Sequence, residues 1–229
     1  MKTRAAQASI EYITLIGVAL MILAVFLFIA MYMYSSFNNS ANYNQLSEMS
    51  NGIVNTVDEL SSQSVGSTYS LSFFSPGLAS PSFFCGDILV LNSKTGHEVS
   101  TTSNMNMSGI LPLNGGQFQA YVSILKTSNG AVAMLSLDLP ISKIISDYSL
   151  SPGSISYNIT FLNASNSAVP TNFNLTALYM NGTQIFSLPK SANSGNVAGS
   201  SSLPSSVNSV IMVVYVPTYS EESAQCVPP

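Results

Sequence analysis

The side chain with the clearest chemical requirement in this sequence is the carboxylate of Glu11, which stands at the entrance of a long uncharged segment. Residues 12–34 form a run of 23 residues without a charge. At about 1.5 Å per residue, a helix of that length crosses a hydrocarbon core of roughly 30 Å. A carboxylate at the edge of lipid needs a partner. The only charges ahead of it are Lys2 and Arg4, which make a short basic leader.

The distribution of cations predicts the direction of insertion. After Arg4 the next cation is Lys94, so the positive-inside bias places the N-terminus in the cytoplasm and the rest of the chain outside. Tyr32 and Tyr34 then lie at the outer interface, where aromatic side chains concentrate. A secretory signal carries its small-residue cleavage site after the apolar region. No convincing site of that kind follows residue 34, so we expect the apolar segment to stay on the mature chain.

The spacing of Gln7, Ser9, Glu11 and Leu15 gives the pattern Q-x-S-x-E-x-x-x-L. This pattern resembles the class III signal peptide of archaeal type IV pilins, in which a membrane prepilin peptidase cuts just before the glutamine. The resemblance implies a cut between Ala6 and Gln7 and a cleaved leader at residues 1–6. Glu11 then becomes the fifth mature residue, the place of the glutamate of type IV pilins. Ala6 departs from the glycine often found before the cut, but it is also small.

Two roles for Glu11 remain open at this point. Cleavage would create an α-amino group at Gln7, and this cation could pair with Glu11 of a neighbouring subunit, so that each group offsets the burial cost of the other. Gln7 and Glu11 would then be assembly residues. Alternatively, Glu11 only complements the positive end of the helix dipole, an effect of typically 0.3–1 kcal/mol.

The helical pattern resumes after the polar patch at residues 35–42. Apolar residues follow at spacings of three or four, which is typical of one face of an amphipathic helix; they are Tyr43, Leu46, Met49, Ile53, Val57 and Leu60. We therefore predict one long helix, from about residue 8 to about residue 62. It lies within a segment, 7–64, that is inserted in the membrane in the precursor and forms the filament core after assembly. Its second half should lie against a globular head.

From residue 65 the pattern changes to short β-branched runs separated by Gly, Pro, Asn and Ser, which predicts an α+β chain: a long N-terminal α-helix and an extracellular head, 65–229, built as an antiparallel β-sandwich. The portion 156–185 resembles immunoglobulin-like surface modules in its pattern of strands and turns, so the sandwich is expected to be immunoglobulin-like. A barrel is the alternative. The predicted strands are 68–74, 87–92, 117–125, 131–139, 154–162, 172–180, 183–188 and 209–216. Asn181-Gly182 predicts a two-residue hairpin loop, residues 127–130 a similar turn, and residues 195–206 a Gly/Ser/Pro-rich loop.

Cys85 and Cys226 are the only cysteines, and both fall on the predicted outer side, where disulfides persist. If they pair, they close a very long loop and stabilise the head by about 4–5 kcal/mol in the chain-entropy model. Two separate thiols are the alternative.

Solubility must come from Ser, Thr and Asn, because charged residues are only 7% of the chain. Six N-x-S/T sequons are candidate glycan attachment sites in an exported protein; they begin at Asn38, Asn106, Asn158, Asn163, Asn174 and Asn181. Several sequons arise by chance in so Asn-rich a chain, so we expect a subset to be used. Asn163 and Asn181 lie in predicted loops, whereas Asn158 and Asn174 lie in predicted strands and depend on facing outward.

Residue types for catalysis are sparse. His97 is the only histidine, so a metal site with several histidine ligands is excluded. We expect His97 to be a solvated turn residue beside Gly96. The sequence has no nucleophile elbow, phosphate-binding loop or C-x-x-C pair, and its acidic residues have no calcium-ligand spacing. We therefore expect no catalytic residues, no metal and no cofactor. The net charge of −4 argues against nucleic-acid binding.

These observations favour a structural subunit that is cut before Gln7 and polymerises through its N-terminal helix into an extracellular pilus-like filament. The implied partners are copies of itself, the prepilin peptidase, the pilus assembly machinery and, before assembly, the cytoplasmic membrane. The alternative is a minor, membrane-anchored surface glycoprotein whose head binds a ligand or another cell. A surface enzyme with an uncleaved anchor is a third reading, without a catalytic cluster to support it.

Overall fold

The structure is a computed structural model that describes residues 2–127, 130–138, 141–219 and 221–228. Side chains are described from Tyr12 onward, apart from that of Thr127. One α-helix, α1 (Lys2–Ser61), is followed within these residues by fifteen β-strands. The chain divides into two compact units, Met1–Asn42 and Tyr43–Pro229. The unit that holds the strands therefore includes the last part of α1.

The strands are β1 (Thr68–Pro76), β2 (Leu78–Cys85), β3 (Ile88–Ser93), β4 (Glu98–Thr102), β5 (Met107–Gly109), β6 (Leu111–Pro112), β7 (Gly115–Thr127), β8 (Gly130–Leu137), β9 (Lys143–Ser151), β10 (Ser154–Leu162), β11 (Thr171–Leu178), β12 (Gln184–Ala192), β13 (Asn196–Ser202), β14 (Val210–Val216) and β15 (Glu221–Val227).

The strands form three sheets in a sandwich-like arrangement. Sheet A has the order β1-β7-β8-β5, sheet B the order β12-β11-β14-β15-β2-β3-β4, and sheet C the order β13-β10-β9; β6 pairs with β15 of sheet B. Two pairings are parallel, β5 with β8 and β15 with β2, and the others are antiparallel. The predicted α+β class, with a long N-terminal helix before an antiparallel β domain, is confirmed.

The C-terminal part of α1 is buried in the core of the strand-bearing unit. Five of the six predicted stripe residues are at most 2% exposed, and they share one hydrophobic cluster with residues of all three sheets; they are Leu46, Met49, Ile53, Val57 and Leu60. The sixth, Tyr43, is 47% exposed. Asp58, on the polar side of the stripe, accepts hydrogen bonds from Ser103 Oγ (2.8 Å) and the Asn104 amide (2.7 Å). The end of α1 is thus fixed by apolar burial and by polar contacts.

The structure contains more strands than the eight predicted. Each predicted strand overlaps an observed one, although residue 139 of the fourth lies outside the described residues. Most of the missed strands lack an apolar alternation; β9 is the exception, since Tyr148 and Leu150 alternate there with polar residues. The clearest error is β13, which lies in the segment 195–206 that we predicted as a loop; its Gly- and Ser-rich residues pair along β10 through the backbone. Gly199 leaves room there for the tyrosine of β10, since a Cβ would lie 2.7 Å from Tyr157 Oη and force that ring to shift.

The predicted hairpin turns are partly corrected. The loop between β11 and β12 has three residues rather than two, because the Tyr179 amide donates to the Thr183 carbonyl (2.8 Å) and the Gly182 amide to the Tyr179 carbonyl (2.9 Å). Gly182 alone takes a positive φ, of 81°, which fits a turn followed by a glycine bulge. In the second turn, β7 and β8 pair up to Thr127 and Gly130, while Ser128 and Asn129 lie outside the described residues.

Candidate assembly surface and surface sites

Every described residue of the unit Met1–Asn42 belongs to α1, and the described side chains present apolar surface on every side. Residues 12–40 are all exposed, with Phe28 and Tyr34 at 74% and Phe37 at 75%. No charged residue occurs between Glu11 and Glu48. The helix is long and apolar enough to cross a membrane, and the window that qualifies is 0% buried. Such a surface is stable only in lipid or against another apolar surface.

The predicted processing residues lie at the start of α1. The backbone of Ala6, Gln7, Ser9 and Glu11 is helical, but their side chains lie outside the described residues. Leu15, the last residue of the pattern, is described and 68% exposed. The leader cut and the pairing of Gln7 with Glu11 therefore stay predictions.

The predicted disulfide is confirmed, and its position gives it a larger role than holding the C-terminus. Cys85 ends β2 and Cys226 lies in β15; their Cα atoms are 4.8 Å apart. These two strands are neighbours in the middle of sheet B, yet their backbones register at one pair alone, Gln225 with Phe84. The disulfide therefore joins the half of sheet B that contains β11 and β14 to the half that contains β3 and β4. It is typical of a protein outside the cytoplasm.

A buried carboxyl group crosses the same junction. Glu222 in β15 is 1% exposed, and its Oε1 accepts a hydrogen bond from the Ser82 amide of β2 (3.2 Å). This amide is free for the bond because the register between β2 and β3 is interrupted between Ala79 and Phe83. Burial raises the pKa of Glu222 to about 7, although hydrogen bonds from Ser80 and Ser82 oppose the shift.

Its neighbour Glu221 is buried without a partner. Glu221 is 0% exposed, and neither carboxyl oxygen has a hydrogen-bond partner among the described residues. It registers with Val216 of β14 and Pro112 of β6, neither of which has a polar side chain. Burial raises the pKa of Glu221 to about 8, so the acid is mostly neutral at pH 7. From the sequence we predicted only that the acidic residues are scattered and hold no metal; a strand that reads E-E-S-A, buried at four successive residues, carries no apolar signal of its burial.

The sequons differ in how they present the asparagine. Asn38, Asn106, Asn158 and Asn181 are exposed, and Asn158 faces outward from β10. Asn174 on β11 is half-buried, and so is Asn163 in the loop after β10. Asn163 Oδ1 accepts from the amides of Ser165 and Ser167, and Asn181 Oδ1 accepts from that of Thr183. We expected the loop residues Asn163 and Asn181 to be better glycan sites than the strand residues. The exposure of Asn181 supports this expectation, whereas Asn163 is less exposed than Asn158 in β10.

His97 is less solvated than we predicted. It lies in the turn between β3 and β4, but it is half-buried, and its ring meets Tyr43 of α1 edge to face at 5.8 Å between centroids. Its Nε2 atom is buried and has no hydrogen-bond partner in the described part of the chain. Within that part, no group of three or more His, Cys, Asp and Glu side chains is arranged to hold a metal ion.

Comparisons with known proteins leave the family open. No family model matches the chain, and no curated protein matches it. Among solved structures, a DUF3823 family protein from Bacteroides ovatus ATCC 8483 is similar at 11% sequence identity, with 70% of this chain and 97% of that chain covered and a TM-score of 0.31. A likeness this weak carries no argument about function.

Proposed function

We propose that this chain is the structural subunit of an extracellular type IV pilus-like filament of the archaeal kind. It is inserted in the cytoplasmic membrane, cut before Gln7 by a prepilin peptidase, and polymerised by the assembly machinery with helices inside and β heads outside. The observation that carries the proposal is the exposed apolar surface of α1, which follows a class III-like leader and belongs to a helix that ends in the core of the β head.

The apolar surface supplies the driving force for assembly. Packing of one helix against others removes apolar area from lipid or water, at about 25 cal/mol per Å² for water and much less for lipid. A helical, non-closing operation needs one heterologous interface to build a filament of any length. An anchor alone would account for the apolar run, but not for the glutamate at its edge or for the continuation of α1 into the head.

Two measurements test the processing and assembly steps. N-terminal sequencing of the mature chain should start at Gln7, and any other start contradicts the leader assignment.

Glu11→Gln should leave the chain in the membrane and abolish filaments, because the α-amino group at Gln7 loses its partner. Glu48→Gln is the matched control: Glu48 is exposed on the same helix, so this variant should form filaments. Normal filaments from Glu11→Gln would leave the dipole role as the only one.

A second candidate is a minor or non-filamentous surface glycoprotein whose head binds a ligand or another cell. A cleft in the strand-bearing unit favours it. Filaments sheared from cells separate the two: this chain in bulk in the sheared fraction supports the main subunit, and its retention on cells in trace amounts supports the second candidate.

A further inference from the structure

A cleft of about 550 Å³ opens in the unit Tyr43–Pro229, beside the disulfide. Its lining comes from all three sheets: from β5 and β8 of sheet A, from β9 of sheet C and from the end of β15 in sheet B. Cavities of roughly 300–1,000 Å³ that are mostly apolar, with a few polar groups, are typical sites for small organic ligands.

Three methionine side chains line the cleft. Met107 and Met134 are 4% and 5% exposed, while Met180 is 48% exposed; Ile145 and Tyr148 also line the cleft. A thioether side chain is flexible and polarisable, and it contacts the edges of aromatic rings favourably. A wall of this kind adapts to a flat apolar molecule without a precise shape of its own.

The charges around the cleft decide which ligands it accepts. Asp147 is the only charged lining residue among those described, and no Lys, Arg or His lines the cleft. Gln225 is oriented by Ser146, whose Oγ donates to Gln225 Oε1 (3.1 Å). Burial raises the pKa of the Tyr148 phenol above its usual range, so the ring is neutral. An anionic ligand would lose its hydration and find no cation in return.

We propose that this cleft binds a flat, apolar small molecule that carries no negative charge, with its rings packed against Met107, Met134 and Met180. The polar groups at Asp147 and Gln225 orient the ligand by accepting or donating hydrogen bonds.

Methionine-methyl NMR on the full chain in detergent micelles, made in a host without N-glycosylation, tests the proposal. The probes are N-phenylnaphthylamine, which is neutral, and anilinonaphthalene sulfonate, which has the same rings and a sulfonate. The neutral dye should shift the methyl signals of Met107, Met134 and Met180 saturably, and the anionic dye should bind at least about tenfold more weakly, equivalent to about 1.4 kcal/mol. Met21, Met31 and Met33 on the apolar helix report dye that only enters the micelle.

A matched pair of variants locates the binding. Met180→Glu should weaken the neutral dye at least about fivefold, because it removes apolar wall and adds a charge. Val65→Glu places the same charge at an apolar residue of similar exposure, 54%, outside the cleft, and should leave the affinity unchanged. The signals of Met49 and Met212, both buried, check folding. The proposal is overturned if the three cleft methyls do not shift, if both dyes bind equally well, or if Met180→Glu binds like its parent.

Discussion

At the scale of single residues, the least expected feature is the pair of buried acids that begins β15. Glu222 has a function in the fold, since it binds the Ser82 amide across the β2–β15 junction. Glu221 has no partner among the described residues and remains in the core by staying protonated. An acid of this kind makes stability depend on pH in a direction opposite to that of a salt-bridged carboxylate, whose pKa is lowered in the folded state.

The pH dependence can be predicted with its sign. The folded-state pKa values, about 8 for Glu221 and about 7 for Glu222, lie above the usual value of 4.5. The folded chain therefore holds protons that the unfolded chain has lost between pH 4.5 and pH 8, so stability is complete below about pH 4.5 and falls as pH rises. Each acid contributes a slope of up to about 1.4 kcal/mol per pH unit. Thermal melts from pH 4 to pH 9 should show the melting temperature falling across this window.

Glu221→Gln should remove a large share of that slope and raise the melting temperature at pH 8 by on the order of 10 °C. Raising the pKa of Glu221 from 4.5 to about 8 costs about 4 kcal/mol at that pH, and about 1 kcal/mol shifts a chain of this size by roughly 2–4 °C. At pH 4 the variant and its parent should melt alike. Glu98→Gln, at an exposed position of β4, changes the net charge equally and should leave the slope unchanged. A parent that is most stable at pH 8 would contradict the assignment.

Gly109 gives a second prediction at the same scale. Its φ is 144°, and a Cβ there would overlap the Leu135 carbonyl oxygen of β8. Gly109→Ala should therefore cost the strain of a disfavoured φ, about 1–3 kcal/mol, plus overpacking against the backbone, about 1–3 kcal/mol more. Gly116 has nearly the same φ, 147°, but its Cβ would meet Phe118 at 3.9 Å, so Gly116→Ala should cost the strain alone. Equal losses in urea unfolding would contradict the clash.

At the scale of elements, the weak point of the fold is the seam between β2 and β15. In sheet A, β1 pairs with β7 along the whole length of β1. The seam between β2 and β15 has only one backbone register pair, and the disulfide and the hydrogen bond of Glu222 also cross it. Closing a loop with a sequence separation of 141 residues restricts the unfolded chain by about 5 kcal/mol in the entropy model. The covalent link thus compensates for the missing ladder.

Loss of the disulfide should loosen sheet B selectively. In the variant with both Cys85→Ser and Cys226→Ser, amide hydrogen exchange should become faster in β2, β3 and β15, because opening of the seam exposes their backbone groups. Exchange in β1 and β7 of sheet A serves as the internal control and should change much less. A uniform increase in all three sheets would contradict a local seam and indicate a loss of global stability only.

The elements that the sequence predicted are those with strong periodicity. The stripe from Leu46 to Leu60 predicted the buried face of α1, β10 stood out by its apolar–polar alternation, and β14 by its apolar run. β13 and β15 could not be predicted in this way: Gly199 and its serine neighbours pair through backbone groups, which every residue has, and Glu221 and Glu222 are buried by contacts with β2 and β6 that are distant in sequence. The Met-lined cleft depends on the same long-range contacts between sheets, so its residues carried no local signal.

At the scale of the whole molecule, the two compact units are stabilised in different ways. The unit Met1–Asn42 has exposed apolar side chains and no internal crosslink, so its stability depends on its surroundings. The unit Tyr43–Pro229 has a buried core and the disulfide. Its surface has few charges, and the exposed sequons at Asn106, Asn158 and Asn181 are the positions where glycans would add solubility. If the chain is a filament subunit, assembly and head stability should respond to different treatments.

Reductant and detergent should therefore have opposite effects on filaments of this chain. Reductant breaks the link between β2 and β15 but leaves the apolar contacts of α1, so filaments should persist in electron micrographs while their heads become sensitive to protease. Detergent competes for the apolar surface of residues 12–40, so filaments should dissolve into subunits whose oxidised heads resist protease as before. The matched control is the filament in buffer with an equal amount of oxidised reductant. Filaments that fall apart on reduction alone would place the essential subunit contacts in the heads, because only the heads contain the disulfide.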